Sequence, residues 1–285
     1  MAYEAQFVDA SLAERLLGEG ENTHQAAAPS LTLEPPHHRV IAFVGMPFEA
    51  RIAAGPGVVV FSRESRHELI AAAENAARHG YRGIVSFGVA GGLTSSLRPG
   101  DWVVASSVVD SQTSNVTDQA WSNKLLDLIG GARYAPIAGV DDPIAEPAIK
   151  RDLHRKTGAA AVDMESHVVA RLAAEHGLVF AAVRVIVDPA ERAIPPAALV
   201  GMNADGRTNV PAILRELIAR PSQLTRLARI ALDAFVARSE MQRVRQLLGS
   251  HFGLTDVAAA ELAQPELAVA KDLEQSDVAA YRSLA

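Results

Sequence analysis

Val179-Phe180-Ala181-Ala182-Val183-Arg184-Val185-Ile186-Val187-Asp188 is an apolar run broken by one internal charge, Arg184, and closed by Asp188 just before Pro189. Such a run reads as a strand buried on both faces, which needs cover on both sides and so belongs to an α/β fold. A charge inside a buried strand needs a partner. Arg184 and Asp188 are therefore candidate functional residues as well as markers of the fold.

The flanking sequence repeats the pattern. A helix is expected from about Glu165 to His176, stopped by Gly177. Upstream, Arg39–Val44 reads as a short buried strand ended by Gly45, Gly57–Phe61 as a second, and Gly83–Phe87 as a third that runs into a glycine turn. Asp101–Val109 reads as a fourth. Glu64 to His79 carries a helical stripe at Leu69, Ile70, Ala73, Ala76 and Ala77, with Gly80 as its stop. Apolar strands separated by helices predict a largely parallel sheet covered on both faces, with ligands at the carboxyl ends of the strands. Met46 to Glu49, Gly88 to Gly92, the acidic segment near Glu165, and Asp188 all fall at such ends.

Beyond this core, Pro211 opens a helix ending near Arg220, and Pro221-Ser222 starts another that runs to about Leu248. Leu224, Leu227, Ala231, Ala234, Phe235, Met241, Val244 and Leu248 form its apolar face, for which packing on the core is the default. The expected organisation is an acidic N-terminal arm (1–38), an α/β domain (39–207), C-terminal amphipathic helices packed on it (208–253) and an acidic tail (254–285). No internal repeat is evident.

Composition narrows the function classes. The 285 residues carry a formal charge of -6, against the basic surface expected of a nucleic-acid binder. Without cysteine, neither disulfides nor a cysteine zinc site can form. No His pair has the spacing of a zinc-binding helix, and His37-His38 reads as a solvated linker, so no metal is expected. The first 25 residues do not read as a signal peptide, and no window reaches the ~18 apolar residues that cross a bilayer. A cytoplasmic protein is the expectation. Arg207 to Arg245 contains eight Arg against three acids. This reads either as a helix with a solvated charged face or as a basic helix lying on the inner face of an anionic membrane.

Nucleophile choices are few: there is no Cys and no Gly-x-Ser-x-Gly elbow, so carboxylates and Arg carry the chemistry. Gly88-Val89-Ala90-Gly91-Gly92-Leu93 follows a strand, and its glycines would let backbone amides approach a ligand. Its spacing is not that of a dinucleotide fingerprint. Asp163-Met164-Glu165 places two acids at the start of a helix, where they either cap it or present a carboxylate to sugar hydroxyls.

Four separated motifs, in order, resemble the nucleoside phosphorylase superfamily and within it the methylthioadenosine/S-adenosylhomocysteine nucleosidases. They are Val44-Gly45-Met46-Pro47-Phe48-Glu49; Phe87 to Leu93 followed by Leu97-Arg98-Pro99-Gly100-Asp101; Val162 to Ser166; and Val183 to Asp188. The match covers about residues 39–200. It implies a three-layer domain with a central mixed β-sheet flanked by helices, plus a C-terminal helical extension. It implies roles too: Glu49 polarises the attacking water, Glu165 holds the ribose hydroxyls with Met164 against the sugar, and Arg184 orients Glu165 and the nucleophile. Asp188 protonates purine N7, beside a base loop of Gly88, Val89, Ala90, Gly91 and Val187. Val89 and Val187 stand where the nucleosidases usually have serine, and Asp163 where they usually have Glu.

Water is the favoured nucleophile, because Glu49 falls where phosphorylases use a phosphate-binding Arg, and a carboxylate repels phosphate. Phosphorolysis stays open through Arg51 or Arg63 as a displaced phosphate site. In that case phosphate is a co-substrate, and no other cofactor is implied. A non-catalytic nucleoside-binding protein on the same fold is a third reading. Ile194-Pro195-Pro196-Ala197-Ala198-Leu199-Val200, then Asp205-Gly206-Arg207-Thr208 and the Arg-rich helix, look like the hopanoid-associated phosphorylases. That likeness implies a lipid-linked small-molecule nucleoside, adenosylhopane, losing adenine in hopanoid biosynthesis. The family also implies a homo-oligomer.

Overall fold

The computed structural model of the protein describes residues 39–76, 81–200 and 209–254. Within them lie eight strands: β1 (Arg39–Val44), β2 (Val58–Ser62), β3 (Tyr81–Gly92), β4 (Trp102–Val109), β5 (Ser114–Val116), β6 (Arg133–Gly139), β7 (Ala161–Asp163) and β8 (Val179–Asp188). The described helices are α1 (Pro47–Ala53), α2 (Arg66–Glu74), α3 (Gln119–Ile129), α4 (Pro147–Thr157), α5 (Ser166–Glu175), α6 (Pro196–Val200), α7 (Val210–Ala219) and α8 (Leu224–Leu247). The two acidic arms, the Gly80 stop and Asp205–Thr208 lie outside the described residues.

β8 is the central strand that its sequence announces, with Phe180 through Ile186 all buried. It pairs parallel with β3 and antiparallel with β4. β3 also pairs with β7, β7 with β6, and β6 with β4, so five strands close on themselves. β1 and β2 extend the sheet from β3 in parallel. The sheet is thus mixed, as the resemblance implies, with five of its eight pairings parallel, as the apolar runs suggest. β3–β7, β4–β5 and β4–β8 are antiparallel. Short antiparallel segments buried on both faces carry the same apolar signature as parallel ones, so the pattern does not distinguish them.

The expected glycine turn after Phe87 is strand. β3 runs through Gly88, Val89, Ala90 and Gly91 to Gly92, because β8 pairs along it to Gly91 and β7 crosses its end at Gly91 and Gly92. Side chains alternate between the two faces. Val85, Phe87, Val89, Val183, Val185 and Val187 pack in one layer, together with Ala237, Met241 and Val244 of α8. Ile84, Ala90, Ala182 and Ile186 pack in the other, with Leu69 of α2 and Val169 and Leu172 of α5.

Only the second half of α8 packs on the core. Met241, Val244 and Leu248 are buried, but Leu224, Ala231, Ala234 and Phe235 of the expected apolar face are exposed. The end of the helix is held by the segment beyond it. Phe252 is fully buried edge-on to Phe87 with ring centres 5.2 Å apart, and its carbonyl accepts from Trp121 Nε1 at 2.8 Å.

Candidate active site

The arginine inside β8 is fully buried, and its partners show how that is tolerated. Arg184 Nε pairs with Asp163 at the end of β7. Its Nη2 donates to Ser86 Oγ of β3 at 2.6 Å and to Ser166 Oγ at the start of α5 at 3.1 Å. The same nitrogen lies 3.9 Å from Glu165 Oε2. Ser166 donates its hydroxyl to Asp163 and its backbone N–H to Asp163 Oδ1, the latter at 3.1 Å. Burial works against the charge of Arg184, but Asp163, Glu165 and Glu49 outweigh it and hold the guanidinium above its ordinary range. Its remaining nitrogen, Nη1, is buried with no hydrogen-bond partner among the described residues.

Glu49 stands in the first turn of α1, and its carboxylate folds back onto the chain that enters the helix. Oε2 accepts from the N–H groups of Gly45 and Met46, each at 2.8 Å. Oε1 accepts from Val89 N–H, also at 2.8 Å. The residue is 2% exposed. Burial pushes its carboxyl up to about 7, against the pull of Arg184 and with the help of Glu165. Burial also raises Glu165, again opposed by Arg184.

Two glycines make this convergence possible. A β-carbon at Gly88 would stand 2.4 Å from Arg184 Nη1 and 2.6 Å from Glu49 Oε1; one at Gly45 would stand 2.8 Å from Glu165 Oε1. Unpartnered Nη1 and Glu49 Oε1 therefore flank the same point on β3. A donor with no partner beside a carboxylate of raised pKa is a place for a polar oxygen that the protein does not itself supply.

Asp188 closes β8 beside Gly91, where a β-carbon would lie 3.1 Å from its Oδ1. Gly91 follows Gly88 by three positions on β3, about 10 Å along the strand. Glu49 and Asp188 thus mark two ends of one site. Asp188 Oδ2 pairs with Lys150 Nζ of α4, which also donates to Pro189 O at 3.1 Å.

Most of the residues singled out in the sequence meet here: Glu49, Glu165, Arg184 and Asp188, the backbone at Gly88 and Gly91, and the N–H of Val89. Met164 adjoins them through its carbonyl, which accepts from Arg63 Nη2 at 3.4 Å. The side chains of Val89 and Val187 lie in the layer under α8, and Ala90 is buried in the opposite layer. Arg51 is not brought in. It follows Glu49 by two positions, so it points away from the core, and its exposed side chain donates to Pro47 O at 3.3 Å. Arg63, 3.8 Å from Glu165, is the cation at the rim. Ser86 and Lys150 were not anticipated. Ser86 had a signal, a hydroxyl inside the apolar run Gly83–Phe87; Lys150 had none.

A mixed sheet that closes on itself and gathers Glu49, Asp163 and Glu165 around one buried arginine defines an enzyme site built on carboxylate chemistry. The chain belongs to the phosphorylase superfamily, whose family model matches residues 27–219. It is an enzyme of the nucleosidase or nucleoside phosphorylase kind. Among solved structures it is similar to futalosine hydrolase of Helicobacter pylori, with 16% identity and a TM-score of 0.52 over 75% of this chain and 97% of that one. It is also similar to the 5′-methylthioadenosine/S-adenosylhomocysteine nucleosidase of Campylobacter jejuni, with 14% identity and a TM-score of 0.48 over 72% and 99%. No curated protein matches the sequence.

Proposed function

We propose that the enzyme hydrolyses the N-glycosidic bond of a purine nucleoside, releasing adenine, with water as nucleophile. The observation that carries this reading is the pairing of buried Glu49 with the unpartnered Arg184 Nη1. Together they offer an acceptor and a donor to one water. Glu49 takes the water proton, Glu165 accepts from the ribose hydroxyls, and the local carboxylates stabilise the cationic sugar of the transition state. The protonated base leaves at the Asp188 end. Glu49, Asp163 and Glu165 outnumber Arg184 and the rim cation Arg63, so a phosphate dianion meets net negative charge. Arg63 is the one observation favouring phosphorolysis as a second reading.

The titration of Glu49 gives two linked expectations. It must be ionised to accept a proton, so kcat/KM rises with pH through about 7. Its folded pKa is raised from 4.5 to about 7, so its contribution to stability is full below 4.5 and is lost as pH rises through about 7. The loss is about 3 kcal/mol. Activity and melting temperature should therefore move in opposite directions between about pH 5 and 8 in the wild type. In Glu49→Gln the pH dependence of both should flatten. A wild-type rate that is flat across this range would remove Glu49 as the base.

The 5′ substituent in this reading is large and apolar, of the adenosylhopane type. Its support lies on α7 and the first half of α8; Asp233 of α8 pairs with Arg192, whose carbonyl accepts from Lys150 Nζ at 3.5 Å. Val210, Leu214, Ile218, Leu224, Leu232 and Phe235 are exposed there. Arg215, Arg220, Arg226, Arg229 and Arg238 are exposed on the same two helices. Their two acids in this stretch, Glu216 and Asp233, are already paired with Arg220 and Arg192. No described helix is long and apolar enough to cross a membrane. An apolar face rimmed by arginines that outnumber its acids, on a chain of charge -6, fits an anionic bilayer surface. The expected result is flotation with anionic but not neutral vesicles, lost in the Leu214→Asp/Phe235→Asp double variant. A double variant that still floats, or a wild type that never does, would refute membrane docking. A homo-oligomer is the assembly proposed with this reading, and sedimentation velocity tests it. Faster release of adenine from a nucleoside with a long 5′-alkyl group than from methylthioadenosine supports the substrate class; the reverse order counts against it.

A further inference from the structure

Helix α4 turns Leu153 toward the core but buries a lysine and exposes an isoleucine. Its sequence is Pro-Ala-Ile-Lys-Arg-Asp-Leu-His-Arg-Lys-Thr, and the residue it buries is Lys150, at 0% exposure, while neighbouring Ile149 is 51% exposed. Burying an ammonium in place of an isoleucine costs stability unless the charge is matched. The match is Asp188 of β8, supplemented by the carbonyls of Pro189 at 3.1 Å and Arg192 at 3.5 Å. Among the described residues, no other charged group takes that place. Arg192 sends its side chain to Asp233 of α8, and His154 on α4 bonds to Ala159 O at 2.8 Å. The lysine is therefore dedicated to one carboxylate, and that carboxylate stands where the base leaves.

We propose that Lys150 is the positioning residue of the acid step, holding Asp188 by Oδ2 toward the base and supplying the proton that Asp188 passes on. This rests on the hydrolytic reading of the site above. In a buried ion pair the ammonium carries the proton and the carboxylate does not. A general acid made only of Asp188 would have to start protonated beside that ammonium. With Lys150 included, the proton inventory closes. An Nζ–H bond breaks as an O–H bond forms on Asp188. The Asp188 proton passes to N7 as the C1′–N9 electron pair leaves with the purine, so adenine departs neutral. Water gives its hydroxyl to C1′ and its proton to Glu49. Asp188 ends as a carboxylate, Lys150 ends neutral, and the proton gained at Glu49 equals the one lost from Lys150. Exchange with solvent resets both.

Lysine and arginine separate the two duties. Arg keeps the charge and the donors but does not give up its proton. The test is kcat for adenine release by purified wild type, Lys150→Arg and Lys150→Met, with melting temperatures measured alongside. Lys150→Met should lose about 10²-fold in kcat, the lower end for an acid step. Lys150→Arg should recover the melting temperature but not kcat. Recovery of kcat to within about twofold in Lys150→Arg would reduce Lys150 to a fixed counter-charge and overturn the proposal. A Lys150→Met rate near wild type would overturn it as well. Absence of adenine release in the wild type would instead overturn the hydrolytic reading itself, so the two failures are distinct.

Discussion

Asp188→Asn is expected to lower kcat for adenine release by about 10²- to 10⁴-fold, the usual share of a general acid. The substitution is nearly isosteric and keeps an oxygen for Lys150, so the end of β8 beside Gly91 should hold its shape. What it removes is the group proposed to relay a proton to the purine. A purine expelled without that proton leaves as an anion. In the proposed mechanism substrate binding rests on Glu165 and the strand backbone, so KM should change much less than kcat. The check is adenine release at saturating nucleoside, with the melting temperature as a control for folding. Retention of more than about a third of the wild-type rate would show that the base leaves without help from this end of the site.

Arg184→Met is the second large effect, and it falls on stability as much as on activity. Arg184 is fully buried against Asp163, with Glu165 and Glu49 close by. Without it, three carboxylates face one another with no buried counter-charge, and the hydroxyls of Ser86 and Ser166 lose their donor. Removing one side of a buried ion pair typically costs about 3–5 kcal/mol, which lowers the melting temperature of a chain this size by on the order of 10 °C. The loss should ease as pH falls, because protonated carboxyls need no counter-charge. Arg184→Lys should not restore the enzyme, since an ammonium lacks the planar fork that reaches Asp163 and both serines at once. A variant that melts like the wild type at pH 8 would mean that the cluster is hydrated and the arginine dispensable.

The strand Val179–Asp188 was the most legible part of the molecule. A charge inside a buried strand and an acid at its end pointed to both the fold and the site; Arg184 lies at the centre of the buried cluster and Asp188 at one end of the site. Glu49 was legible through its motif. The role of Asp163 was not. It is adjacent to Met164 and Glu165 in sequence, but the fold turns it inward to anchor Arg184 and leaves Glu165 for the ligand. Gly88–Gly92 read as a turn because glycines mark turns. They are strand, made of glycine because acidic and basic side chains press against the backbone there. Lys150 was hidden for the opposite reason. Periodicity places apolar residues inward, and α4 rotates to bury a lysine and expose Ile149, a choice made by Asp188 from a distant part of the chain. The first half of α8 carries the apolar pattern of a packed helix, yet it meets no core among the described residues, because a stripe says that burial is wanted and not against what.

The most direct test of the central claim is the fate of oxygen during adenine release, followed in ¹⁸O-labelled water with and without phosphate. Hydrolysis through Glu49 and Arg184 predicts a free sugar labelled at C1′ and a rate of adenine release indifferent to phosphate. Release that requires phosphate, with an unlabelled sugar 1-phosphate as the product, would contradict it.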